Sequence, residues 1–147
     1  MATLKVHARA GASTKTHIQA GKHEFLIDEP VLFGGEDGAP SPVEMLLAAL
    51  AGALNAIGQY TAKEMSMPLR GLDIQIEGEC NADCFFGKSF EERAGFQTIR
   101  AAVTADTDAP EELQARWREQ VLLRCPVLDN LRVPAKVEVD FAAGGVV

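Results

Sequence analysis

The residues of this chain with the clearest capacity for chemistry are its three cysteines, Cys80, Cys84 and Cys125. Proline directly follows Cys125 and suits the first position of a helix, so the sequence predicts that Cys125 is the N-terminal cap of a short helix. Free amide donors and the positive end of the helix dipole favour the thiolate there, and the thiolate is the nucleophilic form of cysteine. The alternative is a buried cysteine that acts as a small hydrophobic side chain.

Cys80 and Cys84 are separated by three residues in a polar segment. That spacing is compatible with two metal ligands, with a disulfide bond in an exposed loop, or with two ordinary loop thiols. No second Cys/His pair follows them, and the histidines, His7, His17 and His23, all lie in the first predicted strands. We therefore expect neither a metal nor a cofactor.

The composition is typical of a globular domain. The chain has 147 residues, of which 47 % are hydrophobic and 24 % charged, and we expect a single domain over residues 1–147. The net charge of −7 argues against a nucleic-acid partner, because such proteins normally present a basic surface. Residues 1–7 alternate like a strand rather than a signal peptide. The longest uncharged apolar stretch, residues 45–57, is too short for a bilayer. We expect a cytoplasmic protein with reduced thiols and no membrane partner.

Two long helices are predicted between groups of strands. The first begins with Ser-Pro-Val-Glu at residues 41–44, where Ser41 is the N-terminal cap, the proline takes the first helical position and Glu44 completes a capping box. It extends to about residue 65, and its first half is apolar on every face, which indicates a central position in the core. The second helix begins near residue 108 and carries one buried stripe, formed by Leu113, Trp117 and Val121.

Alternating apolar and polar residues predict six strands, over residues 3–10, 16–20, 23–28, 72–79, 96–106 and 135–141. In the fifth strand Ile99, Ala101 and Val103 share one face. Between the strands, residues 29–40 predict an ordered loop that leads into the first helix, and residues 80–95 a long, mobile hairpin connection. Strands in groups with helices between the groups are typical of an α+β fold with mostly antiparallel pairing.

Five short motifs occur in order along almost the whole chain. They are DEP at residues 28–30, GG at 34–35, PSPVEMLLAALAG at 40–52, GFQTIR at 95–100 and CPV at 125–127. In this order the motifs resemble the OsmC/Ohr superfamily. The resemblance implies an OsmC-like α+β fold, with antiparallel sheets around a long central helix and two chains in an intertwined homodimer.

The resemblance also implies a reaction. In well-studied members a cysteine on the central helix attacks an organic hydroperoxide and becomes a sulfenic acid. The cysteine of the Cys-Pro motif then condenses with it to a disulfide, which a dithiol reduces. By this resemblance Cys125 holds the resolving position and is the candidate catalytic residue, while the attacking cysteine is replaced by Ala53.

The other positions of the family's site differ as well. Val43 stands where the peroxidase members have an assisting glutamate, and helix capping explains Glu44, the next residue. Arg9 is the one arginine in the early strands, where the family has its activating arginine. We assign Ala53, Val43, Glu44 and Arg9 to the substrate cleft.

These differences leave three hypotheses. The favoured one is an OsmC-like protein of the oxidative-stress superfamily that lacks the two-cysteine peroxidase activity, because a methyl group at Ala53 cannot attack a peroxide. The second is a variant thiol-dependent peroxidase or redox protein, with Cys125 resolved by an external thiol or by Cys80 or Cys84. The third is a non-catalytic homodimer that binds a small hydrophobic ligand or an organic hydroperoxide.

Overall fold

A computed structural model describes residues 1–145 of the chain. It contains two antiparallel sheets, formed by β1 (Val6–Ala10), β2 (Thr16–Ala20) and β3 (His23–Ile27), and by β4 (Gly71–Glu79) and β5 (Thr98–Asp106). The described residues also form a short 3₁₀ helix (Val31–Phe33) and three α-helices, namely α1 (Pro42–Glu64), α2 (Glu111–Arg124) and α3 (Pro126–Arg132). This architecture confirms the prediction of an α+β fold with antiparallel sheets and a long helix.

The loop between β3 and α1 is held by one carboxylate. Asp28 is buried and accepts hydrogen bonds from the Thr14 hydroxyl at 2.7 Å and from the amides of Glu29, Glu36 and Gly38 at 2.9–3.2 Å. These donors, the Thr14 hydroxyl first among them, lower the pKa of Asp28 from 3.8 to about 2. The backbone N–H of Asp28 also donates to the carbonyl of Pro40, so both ends of the predicted ordered loop are tied together just before α1.

The core lies between α1, α2 and one face of the β4–β5 sheet. Leu72, Ile74 and Ile76 of β4 pack against it, as the alternating pattern predicts. On α2, Trp117 and Val121 are buried, and the Trp117 indole N–H donates to the Gly58 carbonyl of α1 at 2.9 Å. This bond satisfies the only polar atom of the indole in the core.

The structure differs from the prediction at the start of α2. The sequence places Asp108 at this helix start, but the first helical residue is Glu111 and Pro110 is the cap. The Asp108 carboxylate instead pairs with the Arg70 guanidinium, which also binds Asp106 at the end of β5. Two carboxylates around one arginine tie the start of β4 to the β5–α2 connection.

The predicted sixth strand does not form in the described chain. Residues 134–145 have no regular secondary structure, and Val137, Val139 and Phe141 are exposed, the last at 95 %. The alternation is genuine, but a strand needs a free sheet edge and a surface for its apolar face. Within residues 1–145 the segment pairs with neither sheet, and its apolar side chains stay exposed.

The N-terminal sheet is equally uncovered. Every residue of β1 is exposed, as are four of the five residues of β3. The sheet has an apolar face, with Ala8 opposite Ile18 and Ile18 opposite Phe25. Nothing in residues 1–145 buries that face in the way a sheet normally requires.

Helix α1 begins and ends close to the predicted residues, but it is not enclosed. Leu50 and Leu54 are buried, whereas the small residues Ala49, Gly52 and Ala56 lie exposed on another face. The predicted central position in the core therefore holds for one side of the helix only. By length and composition alone α1 could cross a membrane, a criterion that the core helices of soluble folds also meet.

Candidate functional site

An apolar cleft of about 550 Å³ lies between α1, β5 and α3. Its walls come from the N-terminal half of α1, from the inner face of β5 and from the inner side of α3; they include Leu46, Leu50, Leu54, Ala101, Val103 and Leu128. The volume is in the range of pockets that hold small organic molecules. The cleft continues the hydrophobic core toward solvent, because Leu50 and Leu54 are buried while Leu46 and Val103 are about two-fifths exposed.

Phe96 lines this cleft and packs over a glycine of β4. The sequence predicts that β5 begins at residue 96, but the strand begins at Thr98. The Phe96 ring lies against Gly78 of β4, where an added Cβ would stand 2.6 Å from two ring carbons. Glycine is required here for the close approach of an aromatic ring to the strand, not for a special backbone angle.

Two arginines, Arg93 and Arg132, line the exposed rim of the cleft. Within residues 1–145 neither forms a salt bridge, and neither guanidinium donates a hydrogen bond. No aspartate or glutamate is among the lining residues of this part of the chain. The cleft is therefore apolar inside and cationic at its rim, in a chain whose net charge is −7.

Val43 and Glu44, adjacent at the start of α1, have different surroundings. Val43 lines the cleft. The carboxylate of Glu44 turns back to Ser41, accepting from its backbone N–H at 2.7 Å and from its hydroxyl at 2.8 Å. These two bonds lower the pKa of Glu44, so the group is an ionised cap of α1 and does not line the cleft.

Ala53 and Cys125 both belong to the core region beside the cleft. Ala53 is half-buried and packs against the buried cluster that contains Cys125, whose exposed fraction is 1 %. Cys125 is the residue before α3, as predicted, but its thiol makes no capping hydrogen bond. The side chain packs with apolar neighbours, which agrees with the small-hydrophobe alternative.

The other two cysteines lie on the β4–β5 connection, away from α1. Cys80 is exposed and Cys84 half-buried, and no disulfide joins the three thiols. Next to Cys84, Phe85 and Phe86 pack with Phe33, with ring centroids 5.1–5.2 Å apart. This aromatic cluster ties the long hairpin connection to the loop before α1.

Arg9 does not meet the other predicted cleft residues within one chain. It lies on the polar face of the N-terminal sheet, opposite His17, and this face also carries His7, Gln19 and Glu24. The apolar face of that sheet carries Ala8 and Ile18 instead. Arg9 therefore lies on the N-terminal sheet and is not among the described residues that line the α1 cleft.

Sequence reasoning missed Phe96 and both rim arginines as cleft residues. They come from an irregular loop and from the end of α3, and no motif includes either arginine. One signal was available, because the predicted face of Ile99, Ala101 and Val103 in β5 is the face that lines the cleft. The apolar face of β5 indicated one wall of the cleft. The cationic rim depends on where the β4–β5 connection and the end of α3 lie in the folded chain, which no local pattern shows.

Comparison with known proteins decides the family. The sequence profile of the family described as OsmC-like protein matches residues 34–140, which is most of the chain. The chain belongs to this family. No protein with a curated function matches the sequence of this OsmC-family chain.

Solved structures support the same fold. The OsmC-like protein from Mycoplasma pneumoniae is 15 % identical, with a TM-score of 0.76 over 90 % of this chain and 89 % of that one. An organic hydroperoxide resistance protein OsmC from Legionella pneumophila is 20 % identical, with a TM-score of 0.64 over 90 % and 91 %. OhrB of Bacillus subtilis, an organic hydroperoxide resistance protein, is also 20 % identical, with a TM-score of 0.56 over 90 % and 92 %. At these identities the likeness establishes the fold.

Proposed function

We propose that this OsmC-family chain acts in the response to organic hydroperoxides and oxidative stress without the two-cysteine peroxidase reaction. The observation that carries the proposal is the absence of a thiol from α1, where Ala53 is half-buried and packs against the buried cluster that contains Cys125. The two remaining thiols, Cys80 and Cys84, lie on the β4–β5 connection. A side chain that ends in a methyl group can form neither a sulfenic acid nor a disulfide.

The experiment is hydroperoxide reduction by the full chain, with cumene hydroperoxide as substrate and dithiothreitol as reductant. We expect no turnover above the rate of the reductant alone, and we expect Ala53→Ser to behave like the wild type. Ala53→Cys, alone and together with Val43→Glu, tests whether restoring the family's residues restores turnover. Efficient turnover by the unmodified chain would contradict the proposal, because another thiol would then be the attacking group.

A protein without the peroxidase reaction can still bind a ligand. The apolar cleft between α1 and β5 is present although α1 carries no thiol, and this supports the role of a protein that binds a small hydrophobic molecule. Burial of an apolar ligand against Leu50 and Phe96 would be favoured by about 25 cal/mol for each Å² removed from water. Binding of a solvatochromic apolar dye, and its displacement by cumene hydroperoxide, would test this role directly.

We further propose that residues 1–147 form one domain that is completed by a second copy in a homodimer located in the cytoplasm. Three uncovered apolar surfaces support this assembly, namely the face of the N-terminal sheet, the small-residue face of α1 and the alternating segment 135–141. Exposed apolar surfaces of this extent are typical of interfaces. Light scattering at micromolar concentration should give twice the mass of 15.8 kDa. A folded monomer would overturn the proposal.

A second candidate function is thiol chemistry by Cys125 alone, and one observation favours it. Cys125 directly precedes α3, which is the position at the start of a helix that the sequence predicts for it. In a variant with Cys80→Ser and Cys84→Ser, alkylation by iodoacetamide across pH reports on this thiol only. Half-maximal reaction below pH 8 would support the thiol function. Protection in the folded chain and full labelling in urea would refute it.

A further inference from the structure

We propose that the cleft between α1 and β5 binds an apolar monocarboxylate, whose tail lies along the hydrophobic walls and whose anionic end pairs with Arg93 and Arg132. The proposal rests on the proposed function, since it names the class of ligand for the same cleft. It adds an anion-binding subsite made of residues outside every motif of the sequence.

The interior of the cleft is lined mainly by apolar side chains. The cleft of about 550 Å³ is lined by Phe96 and by aliphatic side chains such as Leu50, Leu54, Val103 and Leu128. These walls offer dispersion contacts, and the uncharged polar residues of the lining, Gln97 and Thr98, are exposed to solvent. A ligand that fills this cleft therefore has an extended apolar part, and its polar group lies at the rim.

The rim of the cleft is positively charged. Each rim arginine is a cation, because a guanidinium is not deprotonated in proteins. Within the described residues, Arg70, Arg100, Arg118 and Arg124 pair with carboxylates, whereas Arg9, Arg93, Arg116 and Arg132 do not. Of these four unpaired arginines, Arg93 and Arg132 lie against the α1–β5 cleft.

A guanidinium and a carboxylate are complementary in hydrogen-bond geometry as well as in charge. The planar fork of arginine donates two parallel N–H bonds to one carboxylate, which fixes both distance and orientation. An uncharged alcohol of the same chain length can fill the cleft but cannot use the fork. The structure thus predicts discrimination by the head group, with the tail contributing equally in both cases.

The test compares decanoate with decan-1-ol by isothermal titration calorimetry on the full chain at low ionic strength. We expect decanoate to bind at least tenfold more tightly. Arg93→Gln and Arg132→Gln should each weaken decanoate about tenfold, as expected for loss of one charge-assisted pair, and leave decan-1-ol unchanged. Raising the salt concentration should weaken decanoate alone.

Two further variants serve as controls. Arg116→Gln removes an exposed arginine of α2 that does not line the cleft, and it should change neither affinity. Ala101→Phe fills the cleft from the exposed wall of β5 and should abolish binding of both probes. Far-ultraviolet circular dichroism of each variant shows whether the fold is kept.

The outcomes separate the subsite from the proposed function. Equal affinities for decanoate and decan-1-ol, or arginine variants that bind decanoate normally, would overturn the anion subsite while leaving an apolar binding protein. If neither probe binds and Ala101→Phe dissociates the dimer, a second copy of the chain fills the cleft. Both the subsite and ligand binding at this cleft would then be wrong.

Discussion

The contact between Phe96 and Gly78 gives the sharpest test of the cleft geometry. Gly78 pairs with Ile99 in the β4–β5 ladder, and Phe96 lies over it just before β5 begins. A Cβ at residue 78 would lie 2.6 Å from two ring carbons and 3.2 Å from a third. To reach ordinary contact at 3.4 Å, the ring has to retreat by about 0.8 Å.

The size of the effect of Gly78→Ala follows from two opposing terms. Overpacking of this kind costs about 1–3 kcal/mol of the free energy of unfolding. Replacing a glycine inside a strand returns about 0.5–1 kcal/mol, because alanine loses less conformational freedom on folding. The net loss is between zero and about 2.5 kcal/mol, and it is about 1–3 kcal/mol relative to a glycine-to-alanine change in the same strand without the overlap. Since Phe96 also lines the cleft, ligand affinity should fall in the same variant.

Urea unfolding, followed by the fluorescence of Trp117, measures this loss, because the chain has one tryptophan and it is buried. Gly71→Ala is the matched control, since a Cβ at the other end of β4 meets nothing within 4 Å. In a Phe96→Ala background the penalty of Gly78→Ala should disappear, giving a positive coupling in a double-mutant cycle. If Gly78→Ala is as stable as Gly71→Ala, the ring does not lie on the strand and our account of the cleft wall is wrong.

Three further predictions concern the loop clasp, the buried thiol and the exposed face of α1. Because hydrogen bonding lowers the pKa of Asp28 from 3.8 to about 2, its contribution to stability is complete above the unfolded value and is lost as pH falls toward 2. The urea midpoint of the wild type, measured as a function of pH, should therefore fall between pH 4 and pH 2. Asp28→Asn should show a smaller fall over the same range and a lower stability at pH 7. Identical acid profiles of the two proteins would contradict this prediction. Native alkylation of Cys125, 1 % exposed, should be slower than that of Cys80 by at least about tenfold, and mass spectrometry of peptides after a timed pulse measures the ratio. A Cβ added at Gly52 meets nothing within 4 Å in residues 1–145, and Gly52 is exposed, so the isolated fold should tolerate Gly52→Leu. The same change should dissociate a dimer in which the α1 helices pack closely. Size-exclusion chromatography distinguishes the two states, with Gly144→Leu as a control outside every element, and an undisturbed dimer would place the interface elsewhere.

Local chemistry in the sequence was sufficient for the starts of two helices. Ser41, Pro42 and Glu44 occupy the capping positions that the sequence predicts, because a capping box depends only on residues three apart. For the same reason Cys125 and Pro126 mark the start of α3. The alternation in β4 and β5 also predicted which side chains face the core, since neighbouring residues of a strand point to opposite sides.

The sequence could not by itself decide where alternating segments find a partner. Residues 135–141 alternate as clearly as β4 does, yet they form no strand in the described chain. The difference is that β4 has an adjacent strand joined by a hairpin and a helix to cover it, whereas the last segment has neither. A strand is stabilised by pairing and packing with its neighbours, and the sequence of the strand does not show which neighbours it will have.

Family resemblance, read from motifs, predicted the family and the fold, because these depend on residue types in order. The tertiary structure decided what surrounds those positions. Burial of Cys125, the turn of Glu44 into its cap and the separation of Arg9 from α1 all depend on contacts between distant segments. The cationic rim is the clearest case, since Arg93 and Arg132 are far apart in the chain and line one cleft only because a loop and the end of α3 come together beside α1.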